Sequence, residues 1–359
     1  MILIAGGGKS SEIAAEEIIH QGEAPLRLVL PEETFSPLEG VETVKGRLLS
    51  FTGMQGDFLA EIETGSGVKK FNVGAAVIAV DETPKAADSN CITLSSVLEN
   101  NSIRCSGTVV IMLDAKKPSR SSHIVAVEKA IEIKDNNPDC RIYIITPEVR
   151  TFGLDELEYC KAQKKGIIFI RAENIERSSG KMRVTDSPSG KVLDILPDLV
   201  ITDEEQEVRN AAFWAKAFSI NLYEDGHFRL GNVSRGPVTS MRNGIFLCGT
   251  ASRALLPREM DTSARAAATR AVTAARNPLA VDSAEVDEEK CASCITCVRV
   301  CLFHAPSINE RGKSEICRDL CQACGLCVNL CPASAISLKG AGRVEIISAV
   351  DDVLRCLHE

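Results

Sequence analysis

The sequence predicts an α/β chain that ends in a small, cysteine-rich α+β module, and three observations carry that prediction. Residues 2–5 form an apolar strand pattern that runs into Gly6-Gly7-Gly8-Lys9-Ser10-Ser11 and then into an alanine- and isoleucine-rich helical segment from Glu12 to about His20. A second series of apolar strands and helical segments begins at Thr108. Further on, Cys291-Ala-Ser-Cys294-Ile-Thr-Cys297-Val-Arg-Val-Cys301 and Cys321-Gln-Ala-Cys324-Gly-Leu-Cys327-Val-Asn-Leu-Cys331-Pro332 repeat one spacing, C-x2-C-x2-C-x3-C.

The strand, glycine turn and helix open a dinucleotide-binding βαβ unit of Rossmann type, in which glycines let the backbone approach a pyrophosphate at the helix N-terminus. The candidate cradle is Gly6, Gly7, Gly8 and Ser11. Ser11 stands where the fingerprint has Gly or Ala, and Leu30 ends the second strand at 26–30, with Glu32 and Glu33 just beyond. On the motif alone, a nucleotide cradle and a plain tight turn stay equally open. Residues 43–80 read as short strands with turn signals at Gly53, Gly56, Gly65 and Gly67, closing on a buried-type strand at 75–80.

The second series supplies a strand at 108–113, a helix at 121–133 with a serine available to cap it, strands at 141–145 and 166–171, and a charged helix at 154–164 between them. Residues 244–249 form another strand leading into a loop, and 261–276 an alanine-rich helix with Asp261 or Thr262 as its cap. Pro278 and the acidic stretch 282–289 read as a linker, and the tail as a short strand and a helix. The expected domains are a Rossmann domain at 1–104 with 196–280, an inserted αβ domain at 105–195, the cysteine module at 281–340 and a tail at 341–359.

C-x2-C-x2-C wraps three thiolates around one [4Fe–4S] cluster, and the fourth cysteine of each run crosses to a neighbouring cluster. Two runs therefore predict a bacterial-type 2[4Fe–4S] ferredoxin module. One cluster is expected on Cys291, Cys294, Cys297 and Cys331, the other on Cys321, Cys324, Cys327 and Cys301. Pro332 fits the usual run, Leu302 departs from it, and Cys317 is the nearby substitute ligand. Zinc ribbons also use C-x2-C pairs, yet zinc closes on four ligands, and eight cysteines in two interlocked groups suit two clusters better. A disulfide framework is disfavoured without a signal peptide. Cys91, Cys105, Cys140, Cys160, Cys248, Cys317 and Cys356 read as core residues or plain thiols.

The 359 residues allow two or three domains, and 45% apolar content suits a globular protein without a membrane span. A net charge of −8 with no basic stripe argues against nucleic acid as a partner. The absence of targeting segments, together with oxygen-sensitive motifs, points to a reducing cytoplasm.

The order of these segments resembles HdrA, the flavoprotein component of heterodisulfide reductase, and the HdrA-like proteins, whose flavin domain is of the thioredoxin-reductase type. The resemblance is most specific in Val149-Arg-Thr-Phe-Gly153, Gly166-Ile-Ile-Phe-Ile-Arg171, Gly244-Ile-Phe-Leu-Cys-Gly-Thr-Ala251, the helix after Met260 and the cysteine module. It implies FAD held by the glycine turn and by Gly249, Thr250 and Ala251, with a helix N-terminus at the flavin. Ala79-Val80-Asp81 and Thr202-Asp203-Glu204 depart from the family's turns, and Lys117-Pro-Ser-Arg-Ser-Ser-His-Ile-Val-Ala-Val stands where the family carries a further cluster's cysteines. That cluster is expected to be missing, in a shortened form of HdrA.

Five dispersed histidines give no metal-binding spacing, and neither a G-x-S-x-G elbow nor a phosphate-binding loop is present. The expected function is an electron-transfer subunit of a cytoplasmic oxidoreductase complex, with partners similar to HdrB and HdrC or hydrogenase-linked carriers. The alternatives are a flavin-free adaptor that docks the ferredoxin module and a free-standing NAD(P)H-dependent flavin reductase.

Overall fold

The computed structural model describes residues 1–84, 92–99, 107–113, 120–172, 175–178, 180–231, 236–278, 283–318, 320–338, 347–348, 350–351 and 354–355. The chain divides into two units: Met1–Val80 with Asn210–Ser252 and Asp261–Glu359, and Asp81–Arg209 with Arg253–Met260. The expectations for Cys91, Cys105, Cys356 and most of the tail concern positions outside the described residues.

The first unit opens with β1 (Ile2–Ala5), α1 (Lys9–His20), β2 (Pro25–Val29) and β3 (Glu42–Lys45). All four residues of β1 are buried, as a parallel strand covered on both faces requires. Helix α1 buries Ile13, Ala14, Ala15 and Ile18 along one stripe. An antiparallel sheet follows, β4 (Arg47–Met54), β5 (Asp57–Thr64) and β6 (Gly67–Val73), with Phe58, Ala60 and Ile62 alternating inward. Strand β7 (Ala75–Ile78) then returns to the first sheet beside β1.

The second unit comprises β8 (Glu82–Pro84), β9 (Ile92–Thr93), α2 (Leu94–Glu99), β10 (Thr108–Met112), α3 (Arg120–Asn136), β11 (Arg141–Thr146), α4 (Asp155–Lys164), β12 (Ile168–Arg171), β13 (Ile175–Ser178), β14 (Lys181–Thr185), β15 (Val192–Ile195), β16 (Leu199–Thr202) and β17 (Gln206–Val208). Its main sheet runs β12-β11-β10-β16-β9, all parallel. Strands β9 and β16 belong here, and not with the Rossmann domain, because Val109 pairs with Leu199 and Ile201 with Ile92 in one ladder. The unit thus spans 81–209 where the sequence suggested 105–195. Helix α3 begins at Arg120, the serine before it lies outside the described residues, and inside the helix Ser122 Oγ donates to Asp203 Oδ1 at 2.9 Å.

The first unit resumes with α5 (Ala211–Phe218) and β18 (Ile245–Leu247), completing the parallel sheet β18-β7-β1-β2-β3. Helix α6 (Pro257–Arg276) starts at a proline, which fits a first helical position because its missing N–H would have no intrahelical partner there. Asp261, the expected cap, therefore sits one turn inside, where its Oδ2 accepts from Arg265 Nε at 3.2 Å. The buried alanines at 264, 267, 268 and 271 let α6 lie close to the rest of the unit. A Cβ on Gly74 would come within 2.7 Å of Ala275 Cβ, so only glycine fits that approach.

The C-terminal module carries β19 (Glu285–Val286), α7 (Thr296–Val300), β20 (Pro306–Ile308), β21 (Ser314–Ile316), α8 (Leu326–Asn329) and β22 (Ile336–Ser337). The stretch expected as a linker contains β19, which pairs antiparallel with β22. The two cysteine runs repeat at an offset of 30 residues (321 − 291). Backbone conformation repeats with them: Ser293, Ile295 and His304 have positive φ, and so do Ala323, Gly325 and Ser334 at the same offset.

Candidate functional site

Strands β1, β7 and β18 are parallel neighbours, so the Gly6–Gly8 turn, the Ala79-Val80 corner and the Cys248–Ala251 loop all leave the carboxyl edge of one sheet. β1 lies between β2 and β7, the point where strand order reverses and open α/β sheets bind their ligands. Gly6 has φ +134°, and a Cβ there would sit 2.3 Å from the Ala79 carbonyl oxygen. Gly8 is extended and precedes α1 with no side-chain cap. Ser11 is fully buried and donates from Oγ to the Gly8 carbonyl at 2.6 Å, so its hydroxyl is engaged within the turn. Gly249, Thr250 and Ala251 form one buried 3-10 turn. The Gly6–Gly8 turn at the N-terminus of α1 fits the pyrophosphate of a dinucleotide such as FAD.

Arg27 of β2, which sequence reasoning missed, holds this turn from behind. Its side chain is fully buried; Nη2 donates to the Gly7 carbonyl at 2.6 Å, Nη1 to the Ser36 carbonyl at 2.9 Å, and Nε to the Gly6 carbonyl at 3.4 Å. Glu12 Oε1 lies 4.0 Å from Nη2, and the Phe35 ring lies under the guanidinium. Burial lowers the Arg27 pKa, and Glu12 partly restores it. The only available sequence signal was a charged residue in the middle of an otherwise apolar strand.

The eight motif cysteines line two separate cavities. Cys291, Cys294, Cys297 and Cys331 line one, with Ser293, Thr296 and Ser314 beside them. Cys301, Cys321, Cys324 and Cys327 line the other, with Gln322, Ala323 and Leu326. Each cavity thus draws three cysteines from one run and the fourth from the other. Burial and the neighbouring Cys321, Cys301 and Cys324 thiolates push the Cys327 thiol up to about 11, so an apo site would hold protons there until metal displaces them. Thr296 lowers the exposed Cys294 thiol. Cys317 is exposed and lines neither cavity; its N–H donates to the Ala305 carbonyl at 2.8 Å.

Cys248 is buried at the head of the Gly249–Ala251 turn, while Cys140, buried, and Cys160, exposed, lie away from these sites, and His304 is exposed next to the first run. His123 lies buried in α3, where desolvation and then Arg150 depress its pKa to about 4 against the pull of Glu148.

The family model described as "4Fe-4S binding domain" matches residues 318–337, which contain the second cysteine run. The second HdrA iron–sulfur component of CoB–CoM heterodisulfide reductase from Methanopyrus kandleri is 33% identical over 241 residues, 57% of this chain and 36% of the relative. The chain is similar to the HdrA component of heterodisulfide reductase. An HdrA-like protein from Archaeoglobus profundus is 30% identical over 237 residues, covering 57% of this chain and 33% of the relative. The HdrA component of a ferredoxin:CoB–CoM heterodisulfide reductase from Methanosarcina acetivorans is 31% identical over 258 residues, covering 65% and 31%. The chain spans about a third of the length of these relatives. Among solved structures, LpdA of Mycobacterium tuberculosis matches with a TM-score of 0.51 at 12% identity, over 78% of this chain and 74% of that one, and shows a related α/β fold. Among the described residues no helix is long and apolar enough to cross a membrane.

Proposed function

We propose that this chain is an electron-transfer subunit of a cytoplasmic oxidoreductase complex related to heterodisulfide reductase. Two [4Fe–4S] clusters would supply one-electron chemistry, and FAD the exchange of electron pairs for single electrons. The observation that carries the proposal is the pair of four-cysteine cavities, each completed by the last cysteine of the opposite run. Cys291, Cys294, Cys297 and Cys331 would hold one cluster, and Cys321, Cys324, Cys327 and Cys301 the other. Gly6, Gly7, Gly8, Gly249, Thr250 and Ala251 would hold the flavin, while Ser11 and Arg27 shape its turn from within. Among the described residues neither place holds an acid–base pair or an activated nucleophile, so substrate chemistry falls to partner subunits, for which HdrB-like and HdrC-like proteins or hydrogenase-linked carriers are the candidates.

The changed Ala79-Val80-Asp81 corner favours a second reading, an adaptor without flavin that docks the ferredoxin module. Anaerobic purification separates the two. The electron-transfer subunit should carry about eight iron atoms and one FAD per chain, with no NADH or NADPH turnover alone. Eight iron atoms without flavin would favour the adaptor, and dye reduction by either nucleotide would favour a free-standing flavin reductase.

A further inference from the structure

We infer that the chain holds its two cluster sites at different reduction potentials, the site of Cys291, Cys294, Cys297 and Cys331 being the higher. This rests on the two-cluster reading above. Hydrogen bonds donated to ligand sulfurs draw off negative charge and favour the reduced cluster, which raises its potential.

The two sites differ in such donors. Thr296 Oγ1 lies 3.4 Å from Cys294 Sγ, Ser314 Oγ lies 3.1 Å from Cys297 Sγ, and the Ala335 N–H donates to Cys331 Sγ at 3.3 Å. When the cysteines are thiolate ligands, the hydrogen in the first two contacts belongs to the hydroxyl. Three of the four sulfurs therefore accept a hydrogen bond. The fourth residue, Cys291, accepts at its carbonyl from Lys313 Nζ at 2.7 Å, which places a cation beside the site.

At the other site, no hydrogen bond from another residue reaches the Cys301, Cys321, Cys324 or Cys327 sulfur among the described residues; only the backbone N–H of Cys327 is directed to its own sulfur. The sequence explains the difference at Cys294. At the 30-residue offset Leu326 stands where Thr296 does, and Ala323 where Ser293 does. Gln322 alone among the described lining residues carries a side-chain N–H donor, and its Nε2 is directed to the Leu320 carbonyl at 3.5 Å.

Burial acts in the opposite sense, because a drier site disfavours the extra negative charge of reduction. The sites are nearly matched in that respect. Cys294 and Cys324 are both exposed, and the remaining cysteines are half-buried except Cys297, which is buried. Burial thus differs at one sulfur and hydrogen bonding at three, so hydrogen bonding decides the order.

An anaerobic redox titration with dithionite, followed by electron paramagnetic resonance, tests this on the full chain with iron counted in every sample. The wild-type protein should reduce in two separate events. Ser314→Ala and Thr296→Val, at about eight iron atoms each, should move only the higher event, and downward, while Leu326→Thr should move only the lower event upward. Coincident events in the wild type, or a Ser314→Ala or Thr296→Val effect confined to the lower event, would overturn the order while leaving the two-cluster reading intact. A wild-type iron content near four would remove that reading and the order with it.

Discussion

Arg27 is the residue whose removal should disturb the nucleotide turn most, because its guanidinium is fully buried and supports two successive turn carbonyls. Arg27→Met keeps the bulk and deletes the donors. The contacts to Gly7 and Ser36, at 2.6 and 2.9 Å, are short enough to count fully, and the 3.4 Å contact to Gly6 counts little. Charge-assisted bonds contribute about 1.5–3 kcal/mol each, so two give roughly 3–6 kcal/mol. Relief of the cost of burying the cation offsets part of this, leaving a loss of about 2–4 kcal/mol. Hydrogen exchange read peptide by peptide should then show β1 and the start of α1 opening roughly 30- to 700-fold faster, at about tenfold per 1.4 kcal/mol. Peptides of α3, in the other unit, should not change. Arg27→Lys should fall between the two, since an ammonium cannot reproduce the forked geometry. Unchanged exchange across residues 2–20 in Arg27→Met would refute the idea that this side chain holds the turn.

Gly8→Leu should abolish flavin binding in the purified chain and leave iron content unchanged, because the glycine turn and the cysteine module are separate elements; retained flavin would place the cofactor elsewhere. His123 is buried with its pKa depressed from 6.5 to about 4, so the unfolded chain binds the proton first on acidification. Its contribution is complete above about pH 6.5 and is lost as pH falls toward 4, amounting to about 2 kcal/mol at pH 5. Exchange of α3 peptides at pH 7 and pH 5 should show that loss in the wild type and a smaller one in His123→Gln; equal losses would contradict it.

The elements that were legible in the sequence share one property, a local signal strong enough to act alone. The apolar run of β1 with its glycine turn, the alanine stripe of α6 and the repeated cysteine spacing each specify their structure within about 20 residues. What escaped was fixed by distant partners. β16 reads as an ordinary apolar strand, and only its pairing with Val109 and Ile92 assigns it to the second unit. Asp261 looked like a cap because acidic residues favour helix starts, but Pro257 begins the helix one turn earlier. At the candidate site, spacing exposed the cysteines but not the groups around them. Ser314 lies 17 residues from Cys297 and outside both cysteine runs, and Arg27 reaches the glycine turn from the neighbouring strand of the sheet. Thr296 could have been singled out from the sequence, since it lies between two motif cysteines where the other run has Leu326.

The crossing of the two cysteine runs is tested most directly by Cys301→Ser, studied beside Cys317→Ser with spectra that resolve the two clusters. Because Cys301 shares a cavity with Cys321, Cys324 and Cys327, its replacement should perturb the cluster held by the later run, while Cys317→Ser leaves both spectra unchanged. A Cys301→Ser change confined to the cluster of Cys291, Cys294 and Cys297, with Cys317→Ser damaging the other, would contradict the crossed assignment and make Cys317 a ligand.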